Sequence, residues 1–531
     1  MEFDALIKNA KVIDGSGNAA RRADIAIQDG RIAAVGHIAS AAQTVVDATG
    51  LVAAPGFIDV HSHADLFSTT DPGRDNKLCQ GVTTEITGMC GLGPAPVSRD
   101  DNAPYLAYLA GMGMPTYPQY ESFTTFGSYL DFMETLPTGT NTAFFVPHGP
   151  LRIAEMGLSP DKPDTAQMQR MKERVREGMQ SGALGLSSGL MYAPGIFAEE
   201  QEFIELCREM KPWDGIYTTH MRDHGRMVFD CVTETIRIAK SAGVRANISH
   251  NKTSGGERRG QADRNIQMIH EADIPVMYDV YPYIAGATIL QSTLPPWLQK
   301  LPRSEIISYL KETRVNPSKR DDLFQAVMHP EDYFESMLYS CGLDGILISA
   351  AAVTPDAVGC SITRYADTRG LDPFTAYIEL LIDNQLNVTY IGFNMIEDDV
   401  EAFIADPLCM IGSDSLYSKG MLMTHPRAFG TFPRVLGRYV RERGILPLEQ
   451  AIRKMTSLPA GFYGLKGKGL LREGYDADIV LFNPDTIIDH ADYQHPLLAN
   501  EGIHRVFIAG ETVVENDKPL GVLKGKVLRR S

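Results

Sequence analysis

Two histidines one residue apart close an apolar run in "GFIDVHSHADLF", residues 56–67. Alternate residues of a strand face the same side, so His61 and His63 point the same way. Such a pair is either half of a metal site or a solvated hairpin decoration. Four more metal-competent side chains stand in similar short stretches: Cys90 in "EITGMCGLGPAP", His220 in "YTTHMRD", His250 in "ANISHNK" and Asp414 in "CMIGSDS". A thiolate with two imidazoles is a donor set suited to zinc that leaves one coordination position open. A carboxylate beside an activated water is the natural acceptor of its proton. Each residue also has a plainer reading. Cys90 could be a buried thiol, His220 and His250 hydrogen-bonded loop histidines, and Asp414 a helix N-cap.

Three cationic or phenolic residues occupy stretches of the same kind: Lys252 in "SHNKTSG", Tyr283 in "VYPYIAG" and Arg427 in "THPRAFG". Singly they could be solvated surface residues. Together they could clamp a carboxylate, the arginine through its fork and the tyrosine through its hydroxyl. His148 in "FVPHGPLR" and His224, just past His220, read as structural.

The elements that must position these residues are legible as an alternation of short apolar runs and amphipathic helices, the latter over residues 164–181, 197–210 and 226–241. Candidate strands centre on Ile58, Ile86, Phe145, Leu186, Tyr217, Ile248, Met277 and Ile411. Eight βα units imply a closed (β/α)8 barrel over residues 57–465, whose chemistry sits at the C-terminal ends of the strands. His61 and His63 end the first strand, Cys90 the second, His220 the fifth, His250 the sixth and Asp414 the eighth. Their convergence on one mouth is what favours a metal site over the plainer readings. The gap before the last strand is too long for one helix, so residues of about 295–366 are expected to form an insertion over the mouth. Residues 1–56 and 466–531 read instead as short strands separated by turns such as Asp14-Gly15 and Asp29-Gly30, and are expected to make one small β-sandwich.

The chain has 531 residues, 44% hydrophobic and 22% charged, as in an ordinary globular protein. A net charge of −16 argues against nucleic acid as partner. No apolar run has the roughly 18 residues of a membrane helix. The opening "MEFDALIKNAKVIDGSG" lacks the basic-then-apolar order of a signal peptide, so a cytoplasmic location is expected. The seven cysteines have no framework spacing and read as reduced. Oligomeric state is not readable.

The stretches "APGFIDVHSHAD", "GMCGLGPAP", "GLSSGLMYAPG", "SHNK", "DVYPYIAGAT", "IGSDS" and "HPRAFGTFPRVLGRYVRE" resemble the N-acyl-D-amino-acid deacylases, the D-aminoacylase branch of the amidohydrolase superfamily. The resemblance spans essentially the whole chain. It implies a distorted TIM barrel with a small β-sandwich, and a cysteine where hydantoinase-like relatives carry a carboxylated lysine. It further implies a tight zinc position at Cys90, His220 and His250, and a weaker one at His61, His63, Cys90 and Asp414. Asp414 then matches the proton shuttle. Lys252, Tyr283 and Arg427 match the partners of the substrate carboxylate, with Tyr192 nearby. Two departures, Asn251 and Ser415, remove no ligand but bear on fine specificity.

The resulting expectation is zinc-dependent hydrolysis of N-acyl-D-amino acids to a carboxylic acid and a free D-amino acid. "GATILQSTLPPW" carries Ile289, Leu290 and Leu294 and no cation, which favours apolar side chains. Alternatives are a D-dipeptidase, an N-acyl-D-glutamate deacylase or a cyclic-amide hydrolase.

Overall fold

The computed structural model describes residues 2–111, 114, 116–330, 335–421 and 423–530. Its centre is a ring of parallel strands: Phe57–Asp59, Val82–Thr87, Asn141–Phe144 continued by Val146–Pro147, Gly185–Gly189, Ile216–His220, Arg245–Ile248, Val276–Val280 and Cys409–Ile411. Each pairs in parallel with the next. The third strand is broken at Phe145, its first piece pairing with the second strand and its last with the fourth. The ring closes where the Val60 N–H meets the Ile411 carbonyl at 3.5 Å and the Asp414 N–H meets the His61 carbonyl at 2.7 Å. The (β/α)8 barrel expected from the alternating pattern is therefore the fold.

Local chemistry sets the helix boundaries. Thr165–Gln180 opens with a capping box in which Asp164 accepts from the Gln167 N–H, and it buries Met171, Val175 and Met179, four residues apart on one face. Val228–Ala242 stops at Gly243, which takes the left-handed conformation that glycine adopts without steric penalty.

Both ends of the chain build one antiparallel-rich sheet, with Phe3–Val12, Arg21–Gln28, Arg31–Gly36 and Val52–Pro55 from the start joined to Ile479–Phe482, Ile503–Ile508 and Glu511–Glu515 from the end. The join is the antiparallel pair Val480↔Ala54 and its neighbours. Alternation decides which core each residue serves. Ile479, Leu481 and Ala53 enter the small core with Ile7, Ile25 and Phe507, whereas Val480, Phe482, Val52 and Ala54 enter the barrel core. Phe57, at the start of the first barrel strand, stacks on Phe432 at 5.8 Å and meets Phe482 at 6.4 Å, locking the sheet to the barrel. The tail does not stay in that sheet: Val527 bridges Thr142 at the base of the third barrel strand.

The insertion is wider than residues 295–366. Gly286–Ile289 and Ile346–Ala351 both pair antiparallel with Val388–Gly392, so a separate three-stranded sheet spans residues 286–392. Its first strand lies in a stretch that looks like a loop because its pairing partner is a hundred residues away. Helices such as Arg303–Thr313, Pro317–Met328 and Pro373–Asp383 accompany it.

Candidate metal centre and substrate cavity

The strand ends deliver their polar residues to one buried cradle. His61 Nε2 lies 3.2 Å from Cys90 Sγ and 3.4 Å from Asp414 Oδ1, and His63 Nε2 lies 3.2 Å from the same carboxylate oxygen. On the other side Cys90 Sγ is 3.5 Å from His250 Nε2, which is 2.9 Å from His220 Nδ1. All six sequence-nominated donors therefore meet, with the thiol in the middle.

The backbone is strained at three of these positions. Cys90 (φ 54°), His250 (φ 36°) and Asp414 (φ 48°) all have positive φ, a conformation that costs a non-glycine residue on the order of 1 kcal/mol or more and clusters at functional sites. Glycines allow the Cys90 turn to sit this tightly. A Cβ on Gly189 would come 2.1 Å from the Cys90 carbonyl oxygen.

Electrostatics follow from burial and crowding. Burial disfavours a charged His61, but the Cys90 thiolate, Asp279 and Asp414 outweigh it and hold the imidazolium well above its ordinary range. His63 is likewise held at about 9, against burial, chiefly by its hydrogen bond to Asp414. Burial would raise the Cys90 thiol and the Asp414 carboxyl. Instead His61 pulls the thiol down, and Arg427 with His61 pulls the carboxyl down. Burial and the Lys252 charge keep His250 neutral, and burial brings His220 to about 4. Protons on His61 and His63 thus balance the thiolate and carboxylate, which is the charge a divalent cation would supply. With a soft thiolate, neutral imidazoles and a carboxylate, the donor set fits zinc.

Residues that sequence reasoning passed over hold the ligands in place. Asp279, in the seventh strand, accepts from His61 Nδ1 at 3.0 Å, from the His250 N–H at 2.8 Å and from Asn247 Nδ2 at 2.8 Å. That contact keeps a proton on Nδ1 in either charge state of the ring and turns Nε2 toward Cys90. Asp59 accepts from the backbone N–H groups of His61 (3.2 Å) and Ser413 (2.8 Å), tying the first strand to the eighth, and its other oxygen pairs with buried Lys77. The available signal was an acid inside an otherwise apolar strand, which a barrel interior admits only with partners.

The cradle opens into a cavity of about 560 Å³ roofed by the insertion. Leu92, Met191, Ile289, Met337 and Leu416 give it apolar walls. Leu290 and Leu294, expected there, are buried in the protein core instead and do not line it. Lys252 and Arg427 do line it, flanking the Tyr281 ring at 5.7 and 4.6 Å. Lys252 Nζ also lies 2.9 Å from His250 Nδ1. Tyr192 lines the wall, its hydroxyl 3.0 Å from Thr288 Oγ1 and its ring 5.1 Å from that of His220.

Tyr283 is not with them. Its hydroxyl is 3.3 Å from Asp489 Oδ2 and its ring lies under Arg434 at 4.7 Å, away from the cavity lining. These partners come from distant segments that a local motif does not reveal, and Tyr281 occupies the position between the two cations. His224 lines the cavity, whereas His148 is buried against Glu202 at 2.7 Å and serves structure.

Comparison with known proteins agrees with this architecture. The amidohydrolase family profile matches residues 44–206 and 370–514, flanking most of the insertion. A D-aminoacylase of Alcaligenes xylosoxydans xylosoxydans is 36% identical, covering 100% of this chain and 98% of its own. An N-acyl-D-aspartate deacylase of the same organism is 33% identical, covering 99% and 95%. The crystal structure of N-acyl-D-glutamate deacylase from Bordetella bronchiseptica, complexed with zinc and a phosphonate inhibitor, superposes with a TM-score of 0.83 at 32% identity and full coverage of both chains. The chain belongs to the amidohydrolase family, within its D-aminoacylase branch.

Proposed function

We propose that this enzyme is a zinc-dependent deacylase of N-acyl-D-amino acids, with a preference for apolar side chains. The observation that carries the reading is the pairing of the cradle with its surroundings. Cys90, four histidines and Asp414 converge in an apolar cavity where, among the described lining residues, Lys252 and Arg427 are the only lysine or arginine. Two cations suffice for one α-carboxylate. A second carboxylate, as in D-aspartate or D-glutamate substrates, would find no further lysine or arginine among the described lining residues and would be desolvated against Met191, Met337 and Ile289. Relatives that act on D-aspartate and D-glutamate derivatives are nearly as similar as the D-aminoacylase, so the lining and not the overall identity supports the choice.

We assign the tight metal position to Cys90, His220 and His250, and a weaker one to His61, His63, Cys90 and Asp414. A bound zinc supplies Lewis acidity that polarises the acyl carbonyl and makes water a better nucleophile. Asp414 lies beside both histidines of the weaker position, where its carboxylate takes the proton from the attacking water and returns it to the leaving nitrogen, which cannot depart as an anion. Arg427 and Lys252 would hold the α-carboxylate, and this anchor would fix which face of the α-carbon turns toward the cradle. Tyr192 and Ile289 contribute to the side-chain wall. Tyr281 stands where Tyr283 was expected to assist the clamp. The cysteines are all unpaired, in keeping with a reducing cytoplasm. No helix among the described residues is long and apolar enough to cross a membrane.

The test is a panel of N-acetyl-D- and N-acetyl-L-amino acids (leucine, methionine, phenylalanine, aspartate, glutamate) with metal analysis of the purified enzyme. The expected result is turnover of D-leucine, D-methionine and D-phenylalanine derivatives by zinc-loaded protein. Equal rates on L-substrates, or best turnover of the acidic ones, would overturn the assignment.

A further inference from the structure

Beside the cradle lies a second group of donors, of which the deacylation chemistry uses only His220. His224 Nδ1 is 3.0 Å from Glu335 Oε2, and the same oxygen is 4.0 Å from His220 Nε2. One donor atom from each of the three residues lies within 4.8 Å of the other two. His220, His224 and Glu335 are 7%, 0% and 4% exposed. A hydrogen bond from His224 accounts for one side of the carboxylate. It does not account for His220 Nε2, which is buried and has no hydrogen-bond partner among the described residues.

Two imidazoles and one glutamate are the donor set of an open zinc-type site. At metal–ligand distances of about 2.0–2.2 Å, tetrahedral donors stand about 3.4 Å apart, between the two separations seen here. The elements that supply the donors differ. His220 ends the fifth barrel strand, His224 follows it, and Glu335 belongs to the insertion. We propose that His220 Nε2, His224 Nδ1 and the Glu335 carboxylate form a further divalent-cation site, outside the cradle, whose cation fastens the insertion to the barrel mouth. His220 serves both sites through opposite ring nitrogens. Its Nδ1 faces His250, and a cation at Nε2 displaces the proton there to solvent, so the ring becomes a bridge. The inference does not depend on which amide is hydrolysed.

Cobalt titration of the metal-free enzyme tests it. The first equivalent should produce a thiolate-to-cobalt charge-transfer band from Cys90 in wild type, Glu335→Gln and His224→Gln alike. Wild type should then bind one equivalent more than either variant, by inductively coupled plasma analysis after equilibrium dialysis, with no gain in that band. Equal stoichiometry in the three proteins would overturn the proposal. So would loss of the thiolate band in the variants, because it would put Glu335 and His224 in service of the cradle. Wild-type crystals soaked in cadmium give a check that needs no variant: an anomalous peak between His220 Nε2 and Glu335 supports the site, and its absence at full cradle occupancy refutes it.

Discussion

Arg427 Nη1 lies 2.8 Å from Asp414 Oδ2, while the other oxygen of that carboxylate faces His63 Nε2 at 3.2 Å. The residue assigned to the substrate carboxylate is thus also the main counter-charge of the proposed proton shuttle. On that assignment, an incoming α-carboxylate would compete with Asp414 for the guanidinium. Binding of the substrate's charge would then loosen the hold that keeps Asp414 a weak base.

Replacing Arg427 by Gln should accordingly act in two separable ways. KM for an N-acyl-D-amino acid should rise about tenfold or more, since a charge-assisted contact is worth about 1.5–3 kcal/mol, whereas KM for the matching D-amide should barely move. The acid limb of the kcat/KM profile should also shift to higher pH, because burial without the guanidinium raises the Asp414 carboxyl. An unchanged acid limb would mean that Arg427 does not tune the shuttle.

Asp414→Asn should keep the tight metal and lose about 10²–10⁴-fold in kcat, the usual contribution of a positioned acid–base group. Metal content and kcat measured on the same preparation decide it. Near-normal turnover would assign the proton to another group.

Cys90 stands within 3.5 Å of donors from the first and sixth strands. Cys90→Ala should remain folded by circular dichroism yet fail to retain metal through dialysis, and activity should vanish with it. Full zinc occupancy in this variant would remove Cys90 from the ligand set.

Asp65 gives a pH signature of its own. Burial pushes its carboxyl up to about 6 from an ordinary 3.8, against the opposing pull of His63 and Arg74. The folded protein therefore holds an extra proton between those values, and its stability falls as pH rises through that window and stays lower above it. Asp65→Asn should remove a loss on the order of 3 kcal/mol. Denaturant titration of both proteins, metal-free, at pH 5 and 8 should show the variant gaining on wild type at the higher pH.

Lys77 is buried against Asp59, with Ser413 Oγ at 2.6 Å and Glu85 at 3.6 Å. Lys77→Met leaves the buried Asp59 carboxylate without its cation, whereas Glu85 keeps Arg74, Ser62 and Thr140, and should destabilise by about 3–5 kcal/mol. Adding Asp59→Asn should recover part of that loss. Because Asp59 holds the His61 and Ser413 backbones, the double variant should still bind metal less tightly than wild type, as metal-dependent thermal shifts would show.

The sequence by itself determined the barrel, the terminal sheet and the six cradle residues. Each of these rests on local pattern: period-two apolar runs, capped amphipathic helices, and a ligand placed just past a strand, where the barrel must deliver it. Tertiary structure decided whatever depends on partners remote in the chain. Tyr283 and Tyr281 share a motif and lie two residues apart, yet Asp489 and Arg434 draw Tyr283 outward while Tyr281 stays between the cations. Leu290 and Leu294 look like pocket residues, but the insertion folds them into the core. His224 looks idle until Glu335 arrives from more than a hundred residues away. Spacing along a strand fixes direction to within one face, whereas pairing across a hundred residues is settled by packing and charge balance, which no local window contains.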